Sequence, residues 1–191
     1  MSIINCYSRS NVALESPGRQ ASAGGLMGGH RGITFQNCYS SGNVSLLSTV
    51  PVATSGAPAT PSAGGIIGLL ANWGNPVTQL KGIVVLSDNI SVTIENPVIG
   101  ESDNATAYTG HLVGFKASPT TVLNYDNTTL YYNSAMGLGG DSSGNGGITG
   151  TATTKTAADK ALYTGLGWDF DNVWKMPAAG GNQVPLFIWQ N

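Results

Sequence analysis

Asp169 and Asp171 form a close pair of carboxylates, and paired carboxylates are the groups that hydrolyse glycosidic bonds. At a spacing of i and i+2 they would project to the same side of a strand. The other acidic residues are scattered, whereas a polysaccharide-degrading β-helix enzyme would stack acids and bases on one outer wall. The pattern therefore favours solvated residues of a turn or strand surface over a catalytic pair.

A second stretch whose residues could take part in catalysis is GGDSSGN at 139–145, which is similar to the surroundings of a serine-protease nucleophile. That chemistry needs a histidine base and a carboxylate behind it. His30 and His111 both lie inside repeated phrases, so we predict a glycine-rich loop instead. Glu101, Asp103 and Asn104 lack the spacing of a known calcium loop. We predict no catalytic set, no cofactor and no metal, and hence no enzyme.

Cys6 and Cys38 occupy equivalent positions of a repeat. They are too few for a disulfide framework or a metal site. If repeats stack, the two side chains lie on adjacent units, and a disulfide bridge between them is one alternative. The burial tendency of free cysteine favours two small buried thiols.

The composition indicates an all-β protein. Only 9% of the 191 residues are charged, so Gly, Asn, Ser and Thr supply the polarity, as in turns and β surfaces. The net charge of −2 comes without a basic patch, which argues against nucleic-acid binding. Apolar runs are too short for membrane insertion. The N-terminus has no signal peptide and starts within the repeat, so we expect a targeting segment upstream in a longer protein.

Two phrases recur along the chain and define four repeat units. Asn5–Ala13 reads NCYSRSNVA and Asn37–Ser45 reads NCYSSGNVS, and each is followed by a Ser-Ala-Gly-Gly phrase. Unit 1 begins near Ile3 and unit 2 near Gln36. Unit 3 contains VVLSDNISVTI and AYTGHLVG, and unit 4 begins near Val122. Inserts of variable length, at 48–61 and 96–107, separate the two phrases.

The alternation inside the first phrase predicts a strand. Cys38, Ser40, Gly42, Val44 and Leu46 fall on one face, and Tyr39, Ser41, Asn43 and Ser45 on the other. Short strands that return to the same phrase predict a parallel β-solenoid, right-handed by the usual crossover rule. A β-sandwich is the alternative, although it does not account for long inserts at one fixed point of a repeat.

The phrases AGGLMG, AGGIIG and TGHLVG, at 23–28, 63–68 and 109–114, resemble the GLUG repeat motif. The asparagine-rich strand before them and the closing GLGWDFDNVWKM and VPLFIWQ are similar to such proteins, over about residues 3 to 190. Ile66 stands where the motif has Leu, and His111 where it has its second Gly. The resemblance implies a stalk or presentation module of a bacterial surface protein, and it supplies no catalytic residues.

The last part of the chain is predicted to close the domain. Residues 156–164 form a helical window, and five large aromatics follow: Trp168, Phe170, Trp174, Phe187 and Trp189. We predict a hydrophobic plug over the last unit; an aromatic platform for sugar rings is the alternative. The organisation is thus a repeat region at 1–150 and a capping segment of the same domain at 151–191.

The leading hypothesis is a non-enzymatic bacterial surface module for adhesion or ligand presentation, located extracellularly or at the cell surface. Its loops would contact a glycan or protein of the host or bacterial surface, with Tyr39, Trp73, Tyr131 and Tyr132 as exposed contact candidates. Other domains of a larger parent protein would be its remaining partners. The alternatives are a carbohydrate-active β-helix enzyme and a ligand-free structural spacer.

Overall fold

The computed structural model describes residues 1–17, 20–30, 32–49, 60–71, 77–95, 106–117, 122–140, 142–144, 148–155, 158–177 and 184–190. Short strands dominate this part of the chain. In chain order the strands are β1 Ser2–Ile4, β2 Tyr7–Ser8, β3 Val12–Ser16, β4 Ser22–Gly24, β5 Met27–His30, β6 Thr34–Ser40, β7 Val44–Ser48, β8 Ser62–Gly64, β9 Ile67–Leu70, β10 Val77–Val85, β11 Asn89–Ile94, β12 Ala107–Gly110, β13 Val113–Lys116, β14 Val122–Tyr125, β15 Leu130–Asn133, β16 Gly137–Gly140, β17 Ser142–Gly144, β18 Thr151–Thr153, β19 Trp174–Lys175 and β20 Leu186–Phe187. A 3₁₀ turn spans Asn127–Thr129, and helix α1 spans Lys160–Gly165.

Four parallel sheets carry the repeat region. Three of them collect one part of every unit, and the fourth collects one part of units 1 to 3. Sheet A has the order β1-β6-β10-β15-β18, with β2 beside β6 and β14 beside β10. Sheets B, C and D have the orders β16-β11-β7-β3, β17-β12-β8-β4 and β13-β9-β5. The predicted all-β class with parallel strands is confirmed. Parallel pairing also excludes the antiparallel sandwich for the described repeat region.

The register of these sheets follows the repeated phrases. Val12 pairs with Val44, and Val44 pairs with Ile90. Gly24 pairs with Gly64, and Gly64 with Gly110. Equivalent letters of successive units therefore lie side by side. The same register places His111 opposite Gly65, the second glycine of the unit 2 phrase.

The asparagine that opens each phrase is explained by backbone conformation. Asn5 and Asn37 both have φ of 54°, in the left-handed region that asparagine tolerates better than most residues. Register places Gly82 of unit 3 at the same position, and its φ is 61°. A left-handed residue thus bends sheet A at the same point in three consecutive units.

Glycine is required at the corner between sheets C and D because two backbones meet there. A Cβ added to Gly24 would lie 2.2 Å from the Met27 carbonyl oxygen, and one added to Gly64 would lie 2.1 Å from that of Ile67. Both distances are far below any tolerated contact. The corner brings Leu26 N–H to Ile66 O at 3.1 Å, and the same bond recurs between the following units.

Side-chain amides connect the units at the corner between sheets A and B. Asn11 Oδ1 accepts a hydrogen bond from Asn43 N at 2.9 Å. Asn43 Oδ1 in turn accepts from Asp88 N and Asn89 N at 2.9 and 3.0 Å. Each asparagine therefore satisfies a backbone donor of the next unit at a corner where sheet bonds are interrupted.

The inner core lies between the four sheets and is apolar and closely packed. Val44, Leu46, Ile83 and Ile90 are at most 1% exposed, whereas Ser45 between two of them faces solvent. This confirms the predicted alternation in β7. The single strand predicted over residues 38–46 is instead two strands, β6 and β7, separated by the corner at 41–43. The stack of equivalent side chains buries apolar area unit by unit, which is the main source of its stability.

The C-terminal segment lies only in part where it was predicted. Strand β18 pairs with β15 of the last unit, whereas the described residues from 158 onward pack along the outer face of sheet A and form a second core. Its buried members are Tyr39, Val84, Leu86, Ala158, Tyr163, Leu166, Trp168, Trp174 and Val184. The contacts reach Tyr7 of unit 1, which stacks on Tyr39. Helix α1 overlaps the predicted window; its N-cap is Asp159, whose side chain accepts from Leu162 N, and residues 156–157 lie outside the described part.

Candidate functional site

The edge between sheets B and C is where the repeat units differ most. The connections from β3 to β4, β7 to β8, β11 to β12 and β16 to β17 span 17–21, 49–61, 95–106 and 141. The strands on either side pair in register from unit 1 to unit 3. The pairing of β12 with β17 of unit 4 shifts register between Ala107 and Tyr108. The predicted inserts at 48–61 and 96–107 fall on this edge, and residues 50–59 and 96–105 lie outside the described residues. A constant scaffold therefore carries connections of changing length at one edge.

The prediction that Tyr39 is an exposed contact residue is wrong. Its side chain is 0% exposed, because the C-terminal segment covers the outer face of sheet A. The hydroxyl donates a hydrogen bond to Pro185 O at 2.7 Å, and the ring stacks on Tyr7 with centroids 4.9 Å apart. Burial raises the pKa of this phenol far above its usual value. Tyr39 is therefore a core residue.

The other contact candidates are not brought together into one site. Tyr131 and Tyr132 are neighbours in β15, and each is half-buried. Tyr131 packs against the C-terminal core, whereas Tyr132 packs against the inner core and lies 3.9 Å from the His111 ring. Burial lowers the pKa of His111. Trp73 lies outside the described residues.

The aromatic residues of the C-terminal segment divide into a buried group and an exposed end. Trp174 is fully buried, and Trp168 Nε1 donates to Gly82 O at 3.1 Å. Trp189 is 74% exposed and stacks on Phe187 with ring planes 13° apart. The sequence pattern grouped all of them in a plug, because apolar content alone does not distinguish the covered rings from the exposed one.

The acidic side chains of Asp169 and Asp88 make local structural contacts. Asp169 lies in a turn rather than a strand, and its side chain accepts from Asn172 and from Asp171 N. These bonds, led by the Asn172 side chain, lower the pKa of Asp169. Asp88 forms an ion pair with Lys155 at 2.7 Å. Within the described residues, no group of three or more His, Cys, Asp or Glu side chains could hold a metal ion.

The two cysteines are free thiols on adjacent units. Cys38 is 0% exposed and Cys6 is half-buried. Burial raises the pKa of the Cys38 thiol to about 12. A thiol held neutral in this way is a poor nucleophile and a poor metal ligand, which is consistent with a packing role.

Comparisons with known proteins give a structural likeness. No protein-family model and no curated protein sequence matches the chain. A crystal structure from Bacteroides ovatus, described as a "putative immunoglobulin A1 protease", is similar over 100% of this chain with a TM-score of 0.52. The identity is 19%, so the likeness concerns the fold alone. The chain spans 58% of the length of that protein.

Proposed function

We propose that this chain is a non-enzymatic module of a bacterial surface protein that presents loops for adhesion on a right-handed parallel β-solenoid. One observation carries the proposal. Connections of changing length leave the scaffold at one edge, between sheets B and C, while the strands on both sides stay in register from unit 1 to unit 3. A scaffold that is constant while its loops vary is the arrangement that proteins use to position binding residues.

The solenoid itself is supported by the order of the sheets. Units 1 to 3 contribute strands to the sheets in the order A, B, C and D, and unit 4 contributes strands to A, B and C; each strand pairs in parallel with its equivalents in the neighbouring units. In such a stack every unit buries its inner face against the next one. The GLUG-like phrases at 23–28, 63–68 and 109–114 form the corners of this proposed coil.

A place in a longer extracellular protein is part of the proposal. The structurally similar Bacteroides ovatus protein is longer than this chain, since the match covers 58% of it. No described helix is long and apolar enough to cross a membrane. Surface display is therefore assigned to the parent protein, with this chain as a module that holds loops at a distance.

The test is affinity electrophoresis of the chain through gels that contain host and bacterial polysaccharides, with binding to immobilised host surface proteins measured in parallel. We expect retention by at least one ligand. Replacing residues 50–59 or 96–105 with a short Gly-Ser linker should weaken binding by about tenfold or more, as expected when hot-spot contacts are removed. Shortening 118–121, which joins sheet D to sheet A, is the matched control and should leave binding unchanged.

Three results would contradict the proposal, and each would favour a different function. New reducing or unsaturated sugar ends would indicate the carbohydrate-active enzyme. Fragments of immunoglobulin A1 after incubation with the chain would indicate proteolysis, the activity in the name of the similar structure. Unchanged binding after both loop replacements, or no binding to any ligand, would favour a spacer.

A further inference from the structure

The end of the stack formed by unit 1 differs from the interior of the stack in three ways. First, its strands have free edges: among the described residues, β1, β3, β4 and β5 each stand at the end of their sheet. Free parallel edges present backbone donors and acceptors in a row, which is a template for pairing with further strands. These edges belong to all four sheets, so the free surface is a complete cross-section of the fold.

Second, the inner core is left open at this end. Val44 and Ile90 are 0% exposed, but their unit 1 equivalent, Val12, is only half-buried. Phe35 is 0% exposed, and its equivalent Ile3 is again half-buried. The same holds for other apolar side chains of unit 1 that pack on the inner core, which are Cys6, Leu14, Leu26 and Met27.

Third, a glycine of unit 2 and its equivalent in unit 3 each contact the backbone of the preceding unit, and the equivalent glycine of unit 1 has no such neighbour among the described residues. A Cβ on Gly68 would lie 2.6 Å from Ala23 N of unit 1, and a Cβ on Gly114 would lie 2.5 Å from Ala63 O of unit 2. Each glycine thus lets the preceding unit approach closely. Gly28 is the unit 1 equivalent, and the nearest neighbours of a Cβ there all belong to Ser22 of its own unit.

We propose that the unit 1 end is an interface for a further repeat unit of the same kind, whose strands add in parallel to β1, β3, β4 and β5. The occupant follows from continuity with the interfaces between units 1, 2 and 3. It must supply four parallel strands in the same order, apolar side chains over Ile3 and Val12, and a backbone that comes close to Gly28. An asparagine Oδ1 on that unit would accept from Asn11 N–H, as Asn11 Oδ1 accepts from Asn43 N.

Exposed apolar groups at the border of this end agree with an interface. Met1 is 72% exposed and Ile4 is 50% exposed. Trp189 reaches the same region, since Phe187, on which it stacks, lies 5.4 Å from the ring of Tyr7 in unit 1. The inference rests on the unit stacking in the proposed function, but not on any ligand of the loops.

The test lengthens the intact chain by one unit. Register pairs Ser2 with Thr34, so a second copy of residues 2–33 placed before Ser2 has the length of one unit. The added copy carries Cys6→Ala, so that thiol labelling reports only on the original cysteines. We expect Cys6 labelling and amide exchange in β3 to slow by about tenfold or more, since both depend on local opening of an end unit. The matched control adds the same copy with Ile3→Asn, Val12→Asn and Leu14→Asn, and should leave both rates unchanged.

Unchanged protection of Cys6 and β3 in the lengthened chain would overturn the proposal, as would equal protection by the control copy. Protection of β3 in the unmodified chain that rises with protein concentration, together with a dimer in light scattering, would also overturn it. That result would assign the end to a second copy of this chain. Loop-dependent ligand binding is measured separately, so failure here is distinguishable from failure of the adhesion proposal.

Discussion

The Nε1 of Trp168 donates a hydrogen bond to the carbonyl oxygen of Gly82, 3.1 Å away, and this bond joins the C-terminal segment to the bend of sheet A. Gly82 occupies the left-handed position that Asn5 and Asn37 occupy in the preceding units. The unit whose backbone accepts this hydrogen bond thus has glycine where the earlier units have asparagine. The position of the C-terminal segment therefore depends on the backbone of unit 3.

Gly82→Ala should destabilise the protein by about 1–3 kcal/mol, because alanine is strained at positive φ and its Cβ would lie 2.7 Å from Asn37 Oδ1. Urea unfolding followed by tryptophan fluorescence measures the effect. Gly165→Ala is the matched control, since a Cβ there meets nothing within 4 Å. The control should leave the free energy of unfolding unchanged or raise it by up to about 1 kcal/mol. Equal effects of the two substitutions would contradict this account of the bend.

Tyr39→Phe should lower the free energy of unfolding by about 1–2 kcal/mol, because it leaves Pro185 O without its buried donor. Tyr39→Ala should cost about 3–5 kcal/mol through the cavity it creates beneath the C-terminal segment. Thermal and chemical unfolding measure both. Tyr125→Phe, at a 40% exposed tyrosine, should change stability by less than about 0.5 kcal/mol. A Tyr39→Phe variant that loses ligand binding at full stability would restore the contact role that burial argues against.

Asn43→Ala should destabilise the chain by about 1–3 kcal/mol, since it removes the acceptor of both Asp88 N and Asn89 N. Amide exchange should accelerate at these two positions before it does so elsewhere. Ser45→Ala in the same strand is the control, because its exposed hydroxyl makes only a 3.4 Å contact with Val12 O. Unchanged exchange at residues 88 and 89 would show that the asparagine ladder contributes nothing at this corner.

The buried Cys38 thiol predicts a loss of stability in alkali. Its pKa is raised from 9.0 to about 12 by burial, so the folded state holds this proton where the unfolded state has released it. The stabilising contribution is complete below pH 9 and declines as the pH rises from 9 to 12, by up to about 1.4 kcal/mol per pH unit. The phenols of Tyr39 and Tyr163, whose pKa values burial also raises, add to the decline.

Urea unfolding of the wild type and of Cys38→Ala between pH 7 and 11 separates the cysteine from the tyrosines. Cys38→Ala lowers stability at pH 7 by removing packed atoms, and its curve should be shallower above pH 9. Parallel curves for the two proteins would contradict a shifted thiol.

Much of the repeat region could be predicted because its determinants are local. The spacing of Val44 and Leu46 gives the inner face of β7, and the repeated phrases give the register that the sheets adopt. The predicted class and parallel pairing follow from these. The candidate site was harder to predict from the sequence. Tyr39 alternates along its strand as a surface residue does, and only residues remote from it in the sequence bury it. The sequence left both a turn and a strand surface open for Asp169, and the bonds that its side chain accepts from the backbone N–H groups of Asp171 and Asn172 show the turn.

The sequence by itself determined that equivalent residues stack, since asparagine at a left-handed position and glycine at a crowded corner are requirements of single residues and their neighbours. Only the tertiary structure decided where the C-terminal segment lies. Its aromatic residues could cover any apolar surface of suitable size, because the hydrophobic effect is not directional. The outer face of sheet A receives them because Tyr7, Tyr39 and Val84 from three units form one apolar strip there, and because Gly82 O and Pro185 O complete the hydrogen bonds of the buried rings.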